Sequence, residues 1–369
     1  MTPIDLSPTL IIGTGLVGAS VGLALSRAGV TVHLSDRSSS HARVAASRGA
    51  GTTTRPDPAA VRLVVVAVPP DALAGVVERA LATYPNATVT DVGSVKGTVL
   101  AALRSKGLPL DRYVGSHPMA GRERSGPSAA VPDLFLGRPW VIAQAEESAP
   151  QTVLAVRALA VDLGAVPVTM DADAHDAAVA AVSHVPQVVS SLVAARLVGV
   201  DDAALGLAGQ GLRDVTRIAA SDPELWTSIL AANSAAVRPL LEALRGDLDE
   251  VIDALASADE ADGPETIAAG VLVTLARAIA AGNEGVARIP GKHGGAQRPY
   301  EEVTVLVPDS PGELARLLTE IGEAGVNLED LRLEHAAGRQ VGMAAISVLP
   351  GSAARLEAEL VERGWRLVV

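Results

Sequence analysis

The chain has 369 residues, more than one ordinary core of about 100–200 residues accommodates, so two or three domains are expected. An apolar fraction of 49% argues for packed cores rather than disorder, and a net charge of −12 with only three Trp, three Tyr and one Phe argues against a nucleic-acid partner. With no cysteine, disulfides, thiolate metal ligands and a cysteine nucleophile are excluded; no metal site is expected, and the cytoplasm is the expected compartment.

Apolar runs at 10–13, 31–35, 63–68, 88–92 and 140–143 alternate with helical patterns, the rhythm of a doubly wound parallel sheet over residues 1–170. The stretch 10–25 resembles a signal-peptide core only superficially, because Asp5 precedes it and no Lys or Arg does. Residues 171–285 lose strand signals and carry Ala, Leu and Val at helical spacing, with breaks at Ser221-Asp222-Pro223 and Asp262-Gly263-Pro264; this is read as an all-helical substrate and dimerisation domain of a homodimer. Within it, 177–200 is interrupted by His184, Pro186, Gln187 and Arg196, so no membrane span is expected. Residues 286–299 read as a linker or an ordered loop over a site, with Lys292 and His293 in it. Residues 300–369 follow a βαββαβ order, ferredoxin-like, whose first helix is expected to start at Ser310 as N-cap, with Pro311 in the first turn and Glu313 completing a capping box.

The segment Gly13-Thr14-Gly15-Leu16-Val17-Gly18 follows a strand and opens a helix, where its glycines allow a tight turn and the approach of a pyrophosphate. Asp36, at the end of the second strand, suits an adenosine ribose and disfavours a 2′-phosphate, which points to NAD in a Rossmann-type domain; Arg37 beside it leaves NADP open. Gly115-Ser116-His117-Pro118-Met119-Ala120-Gly121 is expected on a loop at the sheet edge, where a histidine can polarise an alcohol. Asp91-Val92-Gly93-Ser94-Val95-Lys96 ends the preceding strand, so Ser94 could hydrogen-bond that imidazole, though an ordinary strand-end turn reads the same way. Further polar clusters in the apolar domain are His175-Asp176, Ser183-His184, and the run from Gly211 to Trp226.

In order and spacing, GSHPMAG, the HD and SH pairs, and RDVTRIA before SDPELW resemble the prephenate/arogenate dehydrogenase family over about the whole chain. The C-terminal VTVLVPDSPGELARLL with Gly325-Val326-Asn327 is similar to an ACT domain. The resemblance implies oxidative decarboxylation of prephenate to 4-hydroxyphenylpyruvate with NAD in tyrosine biosynthesis, or of arogenate directly to tyrosine. It makes His117 the group that hydrogen-bonds the substrate hydroxyl, Ser94 its partner, and Arg217 the carboxylate-binding residue. Glu123 matches a carboxylate near the site entrance; His175, His184, Asp214 and Trp226 match family positions, with capping, ion-pair or packing roles equally open. Gln187 stands where many prephenate-using members carry a second histidine, which keeps arogenate open. The ACT-like part implies control by tyrosine at an edge formed by Asp309, Pro311, Gly312 and Asn327, or a plain dimerisation module.

A β-hydroxyacid dehydrogenase would place a lysine base in the helical domain, and none occurs between Lys106 and Lys292. A nucleotide- and amino-acid-binding sensor without turnover would bind both ligands and transfer no hydride.

Overall fold

The computed structural model describes residues 6–121, 125–260, 263, 267–291, 300–335 and 341–368. Glu123, Lys292, His293 and most of the expected break at 262–264 lie outside the described residues. The chain divides into two compact units, Met1–Gly199 with Asp214–Leu244, and Val200–Arg213 with Arg245–Val369.

The first unit is built on a seven-stranded sheet of β1 (Thr9–Ile12), β2 (Val32–Ser35), β3 (Leu63–Val66), β4 (Thr88–Asp91), β5 (Tyr113–Pro118), β6 (Pro139–Ala143) and β7 (Val166–Thr169). Helices α1 (Leu16–Arg27), α2 (Ser39–Ser47), α3 (Pro70–Thr83), α4 (Gly97–Ser105) and α5 (Pro150–Asp162) connect and cover them. The spatial order is β2-β1-β3-β4-β5-β6-β7, a Rossmann-like arrangement that reverses direction at β1. Short runs such as Leu63–Val66 are apolar throughout because both faces are covered: Val64 and Val66 enter one core with Leu73 and Val77, while Leu63 and Val65 enter the other with Ile11 and Trp140. β6 runs antiparallel to β5, and β7 parallel to β6, so the sheet is parallel only from β2 to β5 and again between its last two strands. The GSHP residues belong to β5 itself rather than to a loop beyond a strand: pairing with β6 carries the ladder through His117, which lies opposite Val141.

Sterics fix the turn from β1 into α1. Gly13 has φ +98°, and a Cβ there would stand 2.2 Å from the Ala67 carbonyl oxygen. A Cβ on Gly18 would stand 2.0 Å from the Gly13 oxygen, so this glycine lets α1 lie against its own turn. At Gly15, the N-cap of α1, a Cβ would meet nothing within 4 Å. Two glycines therefore serve packing, and the third leaves open space at a helix N-terminus.

The unit continues through α6 (Ala172–Val179), a π-helical turn (Ala180–His184), α7 (Val185–Arg196) and a 3-10 turn (Leu197–Gly199). Together, Ala172–Gly199 is long and apolar enough to cross a membrane by length and hydropathy alone, yet His175, Asp176, His184 and Gln187 on it are buried in polar contacts. Pro186 has no N–H for the Val182 carbonyl and crowds it, and the widened turn accommodates both effects. Then come α8 (Asp202–Leu205), α9 (Gln210–Thr216), a 3-10 turn (Arg217–Ala219), α10 (Pro223–Ala232), α11 (Ser234–Asp259) and α12 (Ala269–Ala287), of which α8, α12 and α11 from Arg245 onward belong to the second unit. Asp222 caps α10 by accepting the Glu224 and Leu225 N–H groups, as the Ser-Asp-Pro break led us to expect.

In the second unit, β8 (Glu301–Pro308), α13 (Glu313–Glu323), β9 (Leu328–His335), β10 (Val341–Val348), α14 (Ala353–Glu362) and β11 (Arg366–Val368) form a small sheet of order β11-β8-β10-β9 with antiparallel neighbours. Val303, Val305, Leu317, Ile321, Ile346, Leu356 and Leu360 fill the space between sheet and helices. The expected capping box is not formed: the residue preceding α13 is Gly312 at φ +93° without a side-chain cap, and Glu313 pairs with Arg316 instead. A left-handed glycine turns the chain where a serine cap was expected.

Gly18→Ala should destabilise the fold by about 1–3 kcal/mol through overpacking and abolish dinucleotide binding, read by urea unfolding and NAD titration. Undisturbed affinity would mean that the α1 turn does not shape the cofactor site.

Candidate active site

The site is assembled at the carboxyl ends of β4 and β5. Asp91 ends β4 with its side chain fully buried; it pairs with the equally buried Lys96, and its carboxylate also accepts the Tyr113 hydroxyl (2.7 Å) and the Gly93 N–H (2.9 Å). Desolvation lowers the Lys96 pKa, and Asp91 opposes that shift. The same burial, followed by the Asp91 charge, pushes the Tyr113 hydroxyl well above its ordinary range.

Lys96 also precedes α4, and its backbone faces another acid. The Lys96 and Gly97 N–H groups donate to Asp176 Oδ1 and Oδ2, both at 2.8 Å, so a carboxylate from α6 sits on the N-terminus of α4. Burial raises the Asp176 pKa, but the bonds from His175, Lys96 and Gly97 outweigh it and hold the group below the usual carboxylate value. His175 lies between Asp176 (Nδ1 to Oδ1, 2.8 Å) and His117 (Nε2 to Nδ1, 2.9 Å), with the two rings crossing at 75°. Desolvation first, then His175, Lys96 and His184, lower the His117 pKa well below the ordinary imidazole value, so this half-buried ring is neutral near pH 7. Among the described residues no hydrogen bond joins Ser94 to His117; the partner is His175, because Ser94 lies in the β4–α4 bend while α6 delivers a ring directly.

A second group adjoins the first. Asn233, at the junction of α10 and α11, donates from Nδ2 to the Asp176 carbonyl oxygen (2.9 Å) and to His184 Nδ1 (3.0 Å). His184 meets Trp226 edge to face at 6.0 Å. One turn further, buried Gln187 has Oε1 3.4 Å from Ser221 Oγ and donates from Nε2 to Ser191 Oγ (3.3 Å). Ser221 donates to the Ile218 carbonyl oxygen (2.6 Å), tying this group to the 3-10 turn that begins at Arg217. Arg217 and Asp214 are both exposed.

On the other side of the switch in strand order, Asp36 Oδ2 accepts the Thr14 N–H (2.6 Å) and hydroxyl (2.8 Å), and Oδ1 accepts the Ser38 N–H (2.7 Å). A fixed anion thus stands beside the glycine turn, with Arg37 exposed next to it.

Two sequence profiles match the chain: "Prephenate dehydrogenase, nucleotide-binding domain" over residues 21–169, and "Prephenate dehydrogenase, dimerization domain" over residues 171–268. A probable prephenate dehydrogenase of Streptomyces niveus is 38% identical over 358 residues, 96% of this chain and 98% of its own. The chain belongs to the prephenate dehydrogenase family. Among solved structures, the prephenate dehydrogenase of A. aeolicus in complex with hydroxyphenyl propionate and NAD+ superposes with a TM-score of 0.62 at 25% identity, covering 75% of this chain and 97% of that one. The arogenate dehydrogenase of Synechocystis superposes with a TM-score of 0.59 at 26% identity, covering 75% and 99%.

The family is one of NAD-dependent oxidoreductases, and the residues present fit that cofactor. Gly15 leaves space at the α1 N-terminus, whose first turn carries no acidic residue, where a pyrophosphate would fit, and the Asp36 carboxylate beside it is of the kind that would accept a ribose hydroxyl. Of the residues singled out in the sequence, His117 and His175 share one hydrogen-bonded chain, and His184, Trp226 and Gln187 form the group beside it. Asp309, Pro311 and Gly312 lie between β8 and α13; exposed Asn327 precedes β9 and donates to Glu329 (2.7 Å). Sequence reasoning passed over Asn233 and the Asp91–Lys96 pair. The available signals were an amide within an apolar helical run, and one of only three lysines standing at a strand end.

Desolvation, followed by opposing effects of Asp176 and His175, lowers the His184 pKa from 6.5 to about 4. Between those values the unfolded chain binds the proton and the folded chain does not, so stability present above pH 6.5 is lost as pH falls toward 4. Thermal melts across that window should show the loss, and His184→Gln should reduce its slope, leaving the part that His117 contributes. An unchanged slope would exclude His184 as its source.

Proposed function

We propose that this chain oxidatively decarboxylates prephenate to 4-hydroxyphenylpyruvate with NAD, in the formation of tyrosine, and that His117 receives the proton of the ring hydroxyl. The observation that carries the assignment of the proton acceptor is a half-buried imidazole, kept neutral by its surroundings, at the carboxyl edge of a dinucleotide-binding sheet. A neutral ring can accept a proton, whereas an imidazolium cannot. When bound, NAD accepts the hydride. The chain's own residues hold the ring carbon in line, remove the proton and bind the carboxylates; loss of carbon dioxide is drawn forward by aromatisation.

Arg217 is assigned to a substrate carboxylate, which its planar fork suits at about 1.5–3 kcal/mol per charge-assisted bond. Ser94 is kept as a polar neighbour of the reacting hydroxyl, Glu123 as the entrance carboxylate, and His175, His184, Gln187, Asp214 and Trp226 as the surrounding wall. Arogenate is the second reading. Its support is Gln187, a buried amide tethered to Ser221, which can accept a bond from an ammonium group that a protonated histidine would repel.

Residues 1–170 serve the cofactor in this reading, 171–285 the substrate and dimer contact, and 300–369 regulation. The βαββαβ order and the strand order support a ferredoxin-like, ACT-like module for the last part, with Asp309, Pro311, left-handed Gly312 and Asn327 as the edge for a tyrosine effector. Exposed Leu248, Ile252 and Leu255 on α11, with Leu272, Val273 and Ile279 on α12, support a homodimer, and the reading places it in the cytoplasm.

Purified protein should reduce NAD with prephenate, and comparison with arogenate, NADP and added tyrosine tests each part separately. Absence of turnover with both substrates despite NAD binding would overturn the reading in favour of a sensor. His117→Asn should lower kcat by about 10²–10⁴-fold with NAD binding retained, while Arg217→Ala should raise KM first. Unchanged kcat in the one, or unchanged KM in the other, would remove that residue from its role.

A further inference from the structure

We infer that Asp176 and His175 act on the reaction through His117, locking its ring with Nδ1 protonated and Nε2 bare and sharing the positive charge once Nε2 takes the substrate proton. The inference rests on His117 as the proton acceptor, but its geometric basis is separate from that assignment.

The tautomers follow from which atoms can only donate and which can only accept. Both oxygens of Asp176 receive backbone N–H groups, from Lys96 and Gly97 at 2.8 Å, so the group is an ionised acceptor seated on a nine-residue helix. His175 Nδ1, 2.8 Å from Asp176 Oδ1, must therefore carry a hydrogen. With its one hydrogen on Nδ1, the fully buried His175 ring presents a lone pair at Nε2, 2.9 Å from His117 Nδ1. Two lone pairs do not face each other at that distance, so His117 Nδ1 carries the hydrogen. With the His117 ring neutral, its Nε2 is left as a bare base.

The same chain answers an energetic problem. His117 is a weak base because burial and the cations or rings around it, Lys96 from the β4–α4 link, His175 from α6 and His184 from the π turn, all disfavour its charged form. When the hydroxyl O–H breaks, the proton bonds to His117 Nε2 and the oxygen's electron pair forms the carbonyl, bound NAD being the group that would take the hydride from that carbon; when the carbon–carbon bond to the ring carboxylate then breaks, its electron pair aromatises the ring and the oxygen takes the proton back from Nε2. The charge on His117 is then shared through its Nδ1–H with His175 Nε2, and His175 faces the Asp176 anion through its own Nδ1–H. An anion at the end of the chain offsets a charge that the buried ring alone would carry poorly. His175 and Asp176 are thus positioning residues.

The test has a readout independent of activity. In the NAD-bound protein labelled with 15N-histidine, NMR should show His117 protonated at Nδ1 and bare at Nε2; an Nε2–H tautomer overturns the inference whether or not prephenate is turned over. His175→Ala should lower kcat at least about tenfold, part of the general-base contribution, while KM for prephenate and NAD affinity stay within about threefold and added imidazole restores part of the rate. A kcat within twofold of the parent, or a loss confined to KM, overturns it too. Failure of the parent protein to turn over prephenate would sink the assigned reaction instead, and the NMR tautomer would still decide the hydrogen-bonded chain.

Discussion

The carboxylate of Asp176 on the N-terminus of α4 is the joint on which the site depends. Two charge-assisted bonds to backbone N–H groups, each contributing about 1.5–3 kcal/mol, fasten α6 to the carboxyl edge of the sheet. Gly97 makes that approach possible: a Cβ there would stand 3.0 Å from Asp173 Oδ1 and 3.1 Å from Asp176 Oδ2. Once α6 is held, His175 reaches His117 on β5, and the Asp176 carbonyl oxygen receives Asn233, which in turn holds His184. One carboxylate thereby sets the position of three imidazoles contributed by separate elements.

Why a lysine should be buried beside this joint follows from the same geometry. The Lys96 side chain pairs with Asp91, while its backbone N–H serves Asp176. The Lys96–Asp91 pair bears a desolvation penalty of several kcal/mol, and its attraction with the added Tyr113 and Gly93 bonds offsets that penalty. What the pair contributes locally is direction. It holds the short link between β4 and α4 so that two N–H groups point at α6, and its positive charge helps to keep His117 neutral.

The helix spanning 172–199 shows how an apolar average conceals a polar function. Its hydropathy is that of a membrane span, yet four of its buried residues are His175, Asp176, His184 and Gln187. The π turn before Pro186 alters the angular phase between the first pair and the second, and their side chains meet different partners: His117 and α4 for the first, Asn233 and Ser221 for the second, with Asn233 also bonded to the Asp176 backbone carbonyl.

Local constraints were legible in the sequence. Gly13 and Gly18 announce a β1–α1 turn because only glycine tolerates a carbonyl at 2.0–2.2 Å from a would-be Cβ, and the Asp-Pro break announces the start of α10 because capping needs only neighbours in sequence. The alternation of runs with helical patterns likewise reports burial on both sheet faces, and the order of motifs identified the chemistry. Tertiary structure alone decided the rest. It replaced Ser94 with His175, 58 residues from His117 in sequence, as the imidazole's partner; it paired Lys96 with Asp91; and it turned β6 antiparallel to β5. Such choices depend on which side chains arrive within 3 Å after distant elements pack, and no periodicity or spacing along the chain encodes that arrival.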